Sequence, residues 1–182
     1  MARLIIPGLH GSGPGHWQRL WLEFDPDARI VEQDDWDHPS LDAWLGRLEA
    51  ALADGIPKVL VAHSLGAILV AHFAARRLPG LVAGALLVAP ADVERCAPRH
   101  PALAGFAPVP QSPLPFPSIV VASRNDPYAA FARAAGFAYS WGSALVDAGD
   151  AGHIHVASGH GSWPDGFRLL AALTRMRPRL AA

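Results

Sequence analysis

The chain has 182 residues, a formal net charge of −1, 51% hydrophobic and 17% charged residues, and one cysteine. That length suits one domain, 1–182, with a substantial core. The near-neutral, scattered charge argues against nucleic acid or an anionic membrane surface as partner, and a lone Cys96 excludes an internal disulfide.

Short β-type runs recur at Leu4–Ile6, Arg29–Glu32, Lys58–Ala62, Ala83–Ala89, Ser118–Ala122 and Ala144–Val146. Several are apolar throughout, as strands covered on both faces are. Helical segments fall between them. His16–Phe24 is the first. Leu41, Trp44, Leu45, Leu48 and Leu52 then mark one buried helical face, with Ser40 as its cap and Gly55 and Pro57 as its stop. Leu65–Arg77 follows, closed by "LPG". Tyr128–Phe137 and Asp165–Met176 complete the set, the last turning Phe167, Leu170 and Leu173, or Leu169 and Met176, inward. The paired Arg76-Arg77 and the trio Arg175, Arg177 and Arg179 sit at helix ends, where cations suit the dipole. Six strands alternating with helices predict an α/β fold with a mostly parallel sheet and right-handed crossovers. In such sheets functional groups gather in loops at the carboxyl ends of strands.

Residues 90–117 break the alternation. Eight of the seventeen prolines lie there. Proline fixes φ and removes a donor, so an irregular excursion over the sheet is expected, with a short helical turn. It serves either as a small lid or as a plain connection.

The stretch "IIPGLHGSGPGHW" places Gly8, Gly11, Gly13 and Gly15 behind the first strand. Such a loop can admit a dinucleotide phosphate or a negatively charged reaction intermediate. The spacing does not match G-x-G-x-x-G, Pro14 interrupts the required helix start, and no Gly-Lys-Ser/Thr follows. The second role therefore fits better, and it needs a nucleophile elsewhere.

"KVLVAHSLGAILVAHFAARR" supplies one. A β-run ends at Ala62, Ser64 follows, and a helix begins. Ala62-His63-Ser64-Leu65-Gly66 is small-x-Ser-x-Gly, close to the G-x-S-x-G nucleophile elbow. A sharp strand-to-helix turn strains the serine and brings its flanking backbone close, so the residues two before and two after must be small. The helix N-terminus then points at developing negative charge.

A serine of this kind needs a base, and the base an orienting acid, in the chain order Ser…Asp…His. Asp126 in "ASRNDPY" directly follows a β-run, and His153 in "VDAGDAGHIH" follows the last. His155 and His160 compete for the base, and Asp147 and Asp150 for the acid; the latter two precede His153 in the same loop and fit the order less well. His63 adjoins the serine, where neighbouring side chains diverge. His153, His155 and His160 could alternatively gather a metal, but no fourth ligand or helical spacing accompanies them, and no metal or cofactor is expected. The backbone N–H groups of Leu9 and Leu65 are the candidate donors to an oxyanion, and His10, His63 and His155 are candidate pocket-lining residues.

With these residues placed, the chain resembles the small serine hydrolases of the retinoblastoma-binding-protein/YdeN type, a compact branch of the α/β-hydrolases. The resemblance rests on "GSGPGHWQ", "QDDW" with Pro39 and Trp44, "AHSLG", "SRNDPY" and "GHIHVASGHGSWPDG", and spans nearly the whole chain. It implies a lid-poor, cofactor-free enzyme with Ser64, Asp126 and His153 as its triad. His155 stands where the family has asparagine. The Leu-x-Cys-x-Glu motif for retinoblastoma protein is absent, since Cys96 has Glu94 two before and Pro98 two after.

The expectation is a serine hydrolase, a carboxylesterase acting on small acyl esters. The other readings are a thioesterase or amidase of the same fold, and a non-enzymatic interaction module that would use exposed tryptophans. Nothing resembles a signal-peptide core or a run of about 18 apolar residues, so a cytoplasmic location is expected.

Overall fold

The computed structural model describes residues 1–76 and 80–176. Six strands form one sheet: β1 Arg3–Ile6, β2 Ala28–Ile30, β3 Lys58–His63, β4 Val82–Val88, β5 Ser118–Ala122 and β6 Ala144–Asp147. Their spatial order is β2-β1-β3-β4-β5-β6, and every neighbouring pair is parallel. The helices are α1 Trp17–Phe24, α2 Leu41–Ala51, α3 Leu65–Ala75, α4 Val93–Cys96, α5 Phe131–Trp141 and α6 Pro164–Leu173, with 3₁₀ turns at Pro101–Phe106 and Val156–Ser158.

Alternation along the strands divides the core in two. Leu4, Ile6, Leu60, Ala62, Ala85, Leu87 and Val120 face one side, where α2, α3 and α5 pack through Trp44, Leu48, Phe73, Phe137 and Trp141. Ile5, Val59, Val61, Leu86, Val88, Ile119 and Val121 face the other, where α1 and α6 contribute Trp17, Trp21, Leu170 and Leu173. The central strands read as continuous apolar runs because both of their faces are covered.

Most elements lie where periodicity predicts them, and the departures have physical causes. Helix α3, unlike α2, is buried on nearly every side. It is enclosed by the sheet, by α2 and by the segment after β4, so its apolar residues are not confined to one face. Ser40 occupies the N-cap position of α2, but its side chain makes no capping bond. Helix α5 starts three residues later than expected, because Asp126 accepts from the Tyr128 N–H at 2.8 Å and holds a turn there. It runs on to Trp141, where Gly142 adopts a left-handed C-cap. Helix α6 ends at Leu173, so Met176 is left exposed. The expected end of the third helix at Arg77 and the "LPG" that follows, together with Arg177 and Arg179, lie outside the described residues, Gly80 apart.

The proline-rich excursion is neither loose nor detached. Val93, Leu103, Phe106 and Val109 join the core on the α3 side. Glu94 accepts from the Val109 N–H at 3.0 Å, and the Trp141 indole donates to the Pro110 carbonyl at 2.8 Å. The segment is a packed wall above the carboxyl edge of the sheet. The tryptophans are likewise structural: five are buried, and Trp36 is half-buried against Trp44.

Glycine is demanded at one point above all. A Cβ on Gly66 would stand 2.3 Å from the Ile6 carbonyl oxygen and 2.6 Å from that of Pro7. Both are backbone atoms, which cannot swing aside. Gly46, in the interior of α2, meets nothing within 4 Å. Gly66→Ala is therefore expected to lower stability by several kcal/mol, at about the severe end for point mutants. Gly46→Ala is expected to raise it by roughly 0.5–1 kcal/mol through helix propensity. Paired thermal melts check this; equal melting temperatures would contradict the crowding at the elbow.

Candidate active site

Ser64 sits between the end of β3 and the start of α3 with φ 54° and ψ −120°. Such a backbone is costly for a residue with a side chain, on the order of 1–3 kcal/mol, and the surroundings enforce it. The Ser64 N–H donates to the Val88 carbonyl at 2.9 Å, and its own carbonyl accepts from the Ala67 N–H at 3.0 Å. A Cβ on Gly8 would lie 2.8 Å from the Ser64 Cβ and 3.2 Å from the Leu65 nitrogen, so the loop after β1 presses directly on the turn.

The structure brings Ser64, His153 and Asp126 together. His153 Nε2 lies 2.9 Å from Ser64 Oγ, and His153 Nδ1 lies 2.9 and 3.0 Å from the two Asp126 carboxylate oxygens. The side chains of His153 and Asp126 are 6% and 3% exposed, so little water competes for these bonds. The carboxylate selects the tautomer: Nδ1–H donates to Asp126, which leaves the Nε2 lone pair facing the serine hydroxyl.

Three loops are tied together to achieve this. Between the two carboxyl-end loops of β5 and β6, Asn125 Oδ1 accepts from the Gly152 N–H at 2.6 Å, Ser123 Oγ from the Ala151 N–H at 3.0 Å, and the Gly149 carbonyl from the Arg124 N–H at 2.7 Å. Under the histidine, the His63 ring donates from Nε2 to the His153 carbonyl at 2.8 Å, and the Trp17 indole donates to the Ile154 carbonyl at 2.9 Å. Beside the serine, buried Gln18 donates to the carbonyls of Ile6 and Val61 and accepts from Ser12 Oγ at 2.7 Å, which moors the glycine loop. Sequence reasoning missed Ser12, Trp17, Gln18, Ser123 and Asn125. Their signal was present, as polar or indole residues inside the "GSGPGHWQ" and "SRNDPY" stretches.

Leu9 and Leu65 flank this turn and line its cavity. Among the described residues neither amide donates to a protein acceptor, unlike the neighbouring His10 N–H, which donates to the Trp36 carbonyl at 2.9 Å. The cavity holds about 310 Å³, with Leu9, Leu65, Ala91, Cys96 and Leu103 as its apolar wall. His10, His63 and His155 also line it. His10 is at the rim, its ring 69% exposed and 2.7 Å from Asp37. His155 caps the 3₁₀ turn at Val156–Ser158 through Ser158.

The competitors are engaged elsewhere. His160 lines a separate groove of about 770 Å³ between β6 and α6, which contains none of the three residues. Asp147 is ion-paired with Arg124 at 2.6 Å, and Asp150 is exposed. Among the described residues no group of three or more His, Cys, Asp and Glu is arranged to hold a metal ion.

Four imidazoles form a chain across the floor. Ring centroids are 5.0 Å apart for His16–His63, 4.8 Å for His63–His153 and 5.5 Å for His153–His155. Burial drives His63 well below the ordinary imidazole range, and the neighbouring rings of His153 and His16 push it the same way. Burial, then His155 and His153, lower His16 to about 4. His155 is lowered by burial and by His153. His16, His63 and His155 are thus neutral near pH 7, and His16 Nδ1 is free to accept from the Gln18 N–H and cap α1.

This arrangement defines an α/β-hydrolase: a parallel sheet with a strained serine on a strand-to-helix turn and a histidine and an acid on later carboxyl-end loops. The family model described as "Serine hydrolase" matches residues 3–172, and the chain belongs to that family. A YdeN-like hydrolase from Pectobacterium atrosepticum is similar at 34% identity and TM-score 0.86, covering 95% of this chain and 90% of its own. The YdeN product of Bacillus subtilis aligns at 22% identity and TM-score 0.76, covering 97% and 100%. An esterase from a Rhodococcus species shares the fold at 14% identity and TM-score 0.69, covering 97% and 91%. Comparison with curated proteins gives no match. Among the described residues no helix is long and apolar enough to cross a membrane.

The depressed histidines carry a consequence for stability. His16 binds a proton near 6.5 when unfolded but only near 4 when folded. The unfolded state therefore holds more protons in that window, and stability rises with pH across it. The contribution is fully present above about pH 6.5 and is lost as pH falls toward 4, on the order of 3 kcal/mol. His63 acts in the same direction. Denaturant titrations at pH 7 and pH 4.5 are expected to show a smaller loss for His16→Asn, which keeps a capping acceptor, than for the wild type. An identical loss would contradict the buried neutral state of His16.

Proposed function

We propose that the protein is a carboxylesterase that hydrolyses small acyl esters through an acyl-enzyme on Ser64, with 1–182 acting as one hydrolase domain. The hydrogen-bonded relay Ser64–His153–Asp126, buried beneath a small, mostly apolar cavity, is the observation that carries this reading.

Ser64 Oγ attacks the ester carbonyl carbon while its proton passes to His153 Nε2. The carbonyl π-electron pair moves onto oxygen, which lies against the N–H groups of Leu9 and Leu65. Two preorganised donors of this kind are each worth about 3–4 kcal/mol in the transition state. Asp126 stabilises the imidazolium that forms and keeps its orientation. The tetrahedral intermediate collapses, the C–O bond to the alcohol breaks, and His153 delivers its proton to that leaving oxygen. Water enters, gives a proton to His153, attacks the acyl carbon and releases the carboxylic acid as Ser64 regains its proton.

An alcohol leaving group and a short acyl chain suit a cavity of about 310 Å³. This volume lies at the lower end of small-molecule sites. The esterase named among the structural neighbours supports the fold's capacity for this chemistry, not its substrate. With its tryptophans in the core and its polar groups converging on one serine, the chain has the features of an enzyme rather than of an interaction module.

A fluorophosphonate probe, followed by peptide mass spectrometry, is expected to mark Ser64, and Ser64→Ala is expected to abolish the adduct. His153→Ala is expected to lower kcat/KM toward p-nitrophenyl acetate by about 10⁴-fold. Labelling that persists in Ser64→Ala would overturn the assignment.

A further inference from the structure

A second cavity borders the one above Ser64. Cys96, His100 and Tyr128 are shared with an adjoining cavity of about 520 Å³. Its walls add Arg95, Arg99, Pro98 and Pro127. The Tyr128 ring centroid lies 4.5 Å from that of His153, so the border shared by the two cavities stands beside the reacting atoms.

The charge balance of this second compartment is one-sided. Among the described residues its lining contains two arginines and a histidine, all exposed, and no carboxylate. The acids nearby are committed elsewhere. Asp92 and Glu94 hold Arg133 at 3.4 and 2.7 Å, and Asp126 holds His153. Among the described residues neither Arg95 nor Arg99 has an ion-pair partner. Arg95 donates to the Pro127 carbonyl, which anchors its guanidinium at the mouth and leaves further N–H donors available. It also lies beside the Cys96 thiol at the boundary of the two compartments.

By contrast, among the described residues the compartment around Ser64 has no Lys or Arg in its lining. A substrate spanning both would place its ester against apolar groups and imidazoles. Its far end would meet a pair of uncompensated guanidinium groups, the side chains best suited to fork-like recognition of carboxylate or phosphate.

We infer that the preferred substrate is an ester bearing an anionic group, a carboxylate or a phosphate, bound by Arg95 and Arg99 while its acyl carbon sits at Ser64. The inference rests on the esterase reading and adds the charge of the substrate and the residues that read it. Either portion of the ester can carry the anion, so the probes separate the two sources.

The test compares two matched pairs with the full chain at low ionic strength. p-Nitrophenyl hemiglutarate against p-nitrophenyl butyrate places the charge on the acyl side. Glycerol 3-phosphate monoacetate against glycerol monoacetate places it on the alcohol side. In at least one pair the anionic ester is expected to be favoured about tenfold or more in kcat/KM. The advantage should shrink in about 0.5 M NaCl, as screened charges require. In Arg95→Gln/Arg99→Gln the ratio within that pair should fall to near one. Neutral esters hydrolysed as well as anionic ones in both pairs, or a preference that survives the double substitution, would overturn the inference while leaving the esterase reading intact. Failure to turn over any of the four esters would overturn the esterase reading and this inference with it.

Discussion

The site depends on two backbone carbonyls being held from below. The loop after β6 must present His153 to a serine 89 residues earlier in the chain, and no regular element holds it there. Instead the carbonyls of His153 and Ile154 each receive one buried ring N–H, from His63 and from Trp17. Leaving such a carbonyl unpaired would cost about 1–3 kcal/mol, so the loop has one well-defined seat. Ile154 adopts φ 49° in that seat and is fully buried, which shows how firmly the surroundings dictate its conformation.

That arrangement links fold to chemistry. His63 occupies the last position of β3 and Trp17 the first position of α1, so the sheet and helix that build the core also aim the imidazole. Burial keeps His63 neutral, and the tautomer with its proton on Nε2 makes the donation to the His153 carbonyl. The same neutrality matters in the reaction proposed here. When His153 takes a proton, the rings beneath it carry no competing charge, and Asp126 is the ionic partner in contact with it. Packing against Trp163 and Trp21, which leaves no room for a Cβ at Gly166, fixes the start of α6 behind this floor.

Much of this was legible in the sequence, because it was written in two periodicities and one spacing. Lys58–Ala62 and Ala83–Ala89 announced buried parallel strands, and Leu41–Leu52 announced a helix packed on one side. The spacing Ala62-x-Ser64-x-Gly66 announced the turn, and the carbonyls of Ile6 and Pro7 explain why its last member is glycine. The order Ser64, Asp126, His153 pointed to the three side chains that meet. What could not be read was cross-chain pairing. Nothing in "AHSLG" reveals that its histidine supports a loop 90 positions away, and Gln18 looks like any surface glutamine until both carbonyls it bridges are in place. The proline-rich stretch was opaque for the same reason. Its order comes from Phe106 and Val109 entering a core assembled from distant elements, not from any local repeat.

In the mechanism proposed here, Ser64, His153 and the amides of Leu9 and Leu65 converge on a single reacting carbon. A crystal structure of the protein after reaction with a small alkyl fluorophosphonate tests it most directly, since the tetrahedral phosphorus stands where that carbon would be. The proposed mechanism requires phosphorus bonded to Ser64 Oγ, with one phosphoryl oxygen about 2.7–3.1 Å from the Leu9 and Leu65 nitrogens and His153 Nε2 facing the opposite side of the adduct. An oxygen turned away from those amides, or a phosphonyl group on another residue, would contradict it.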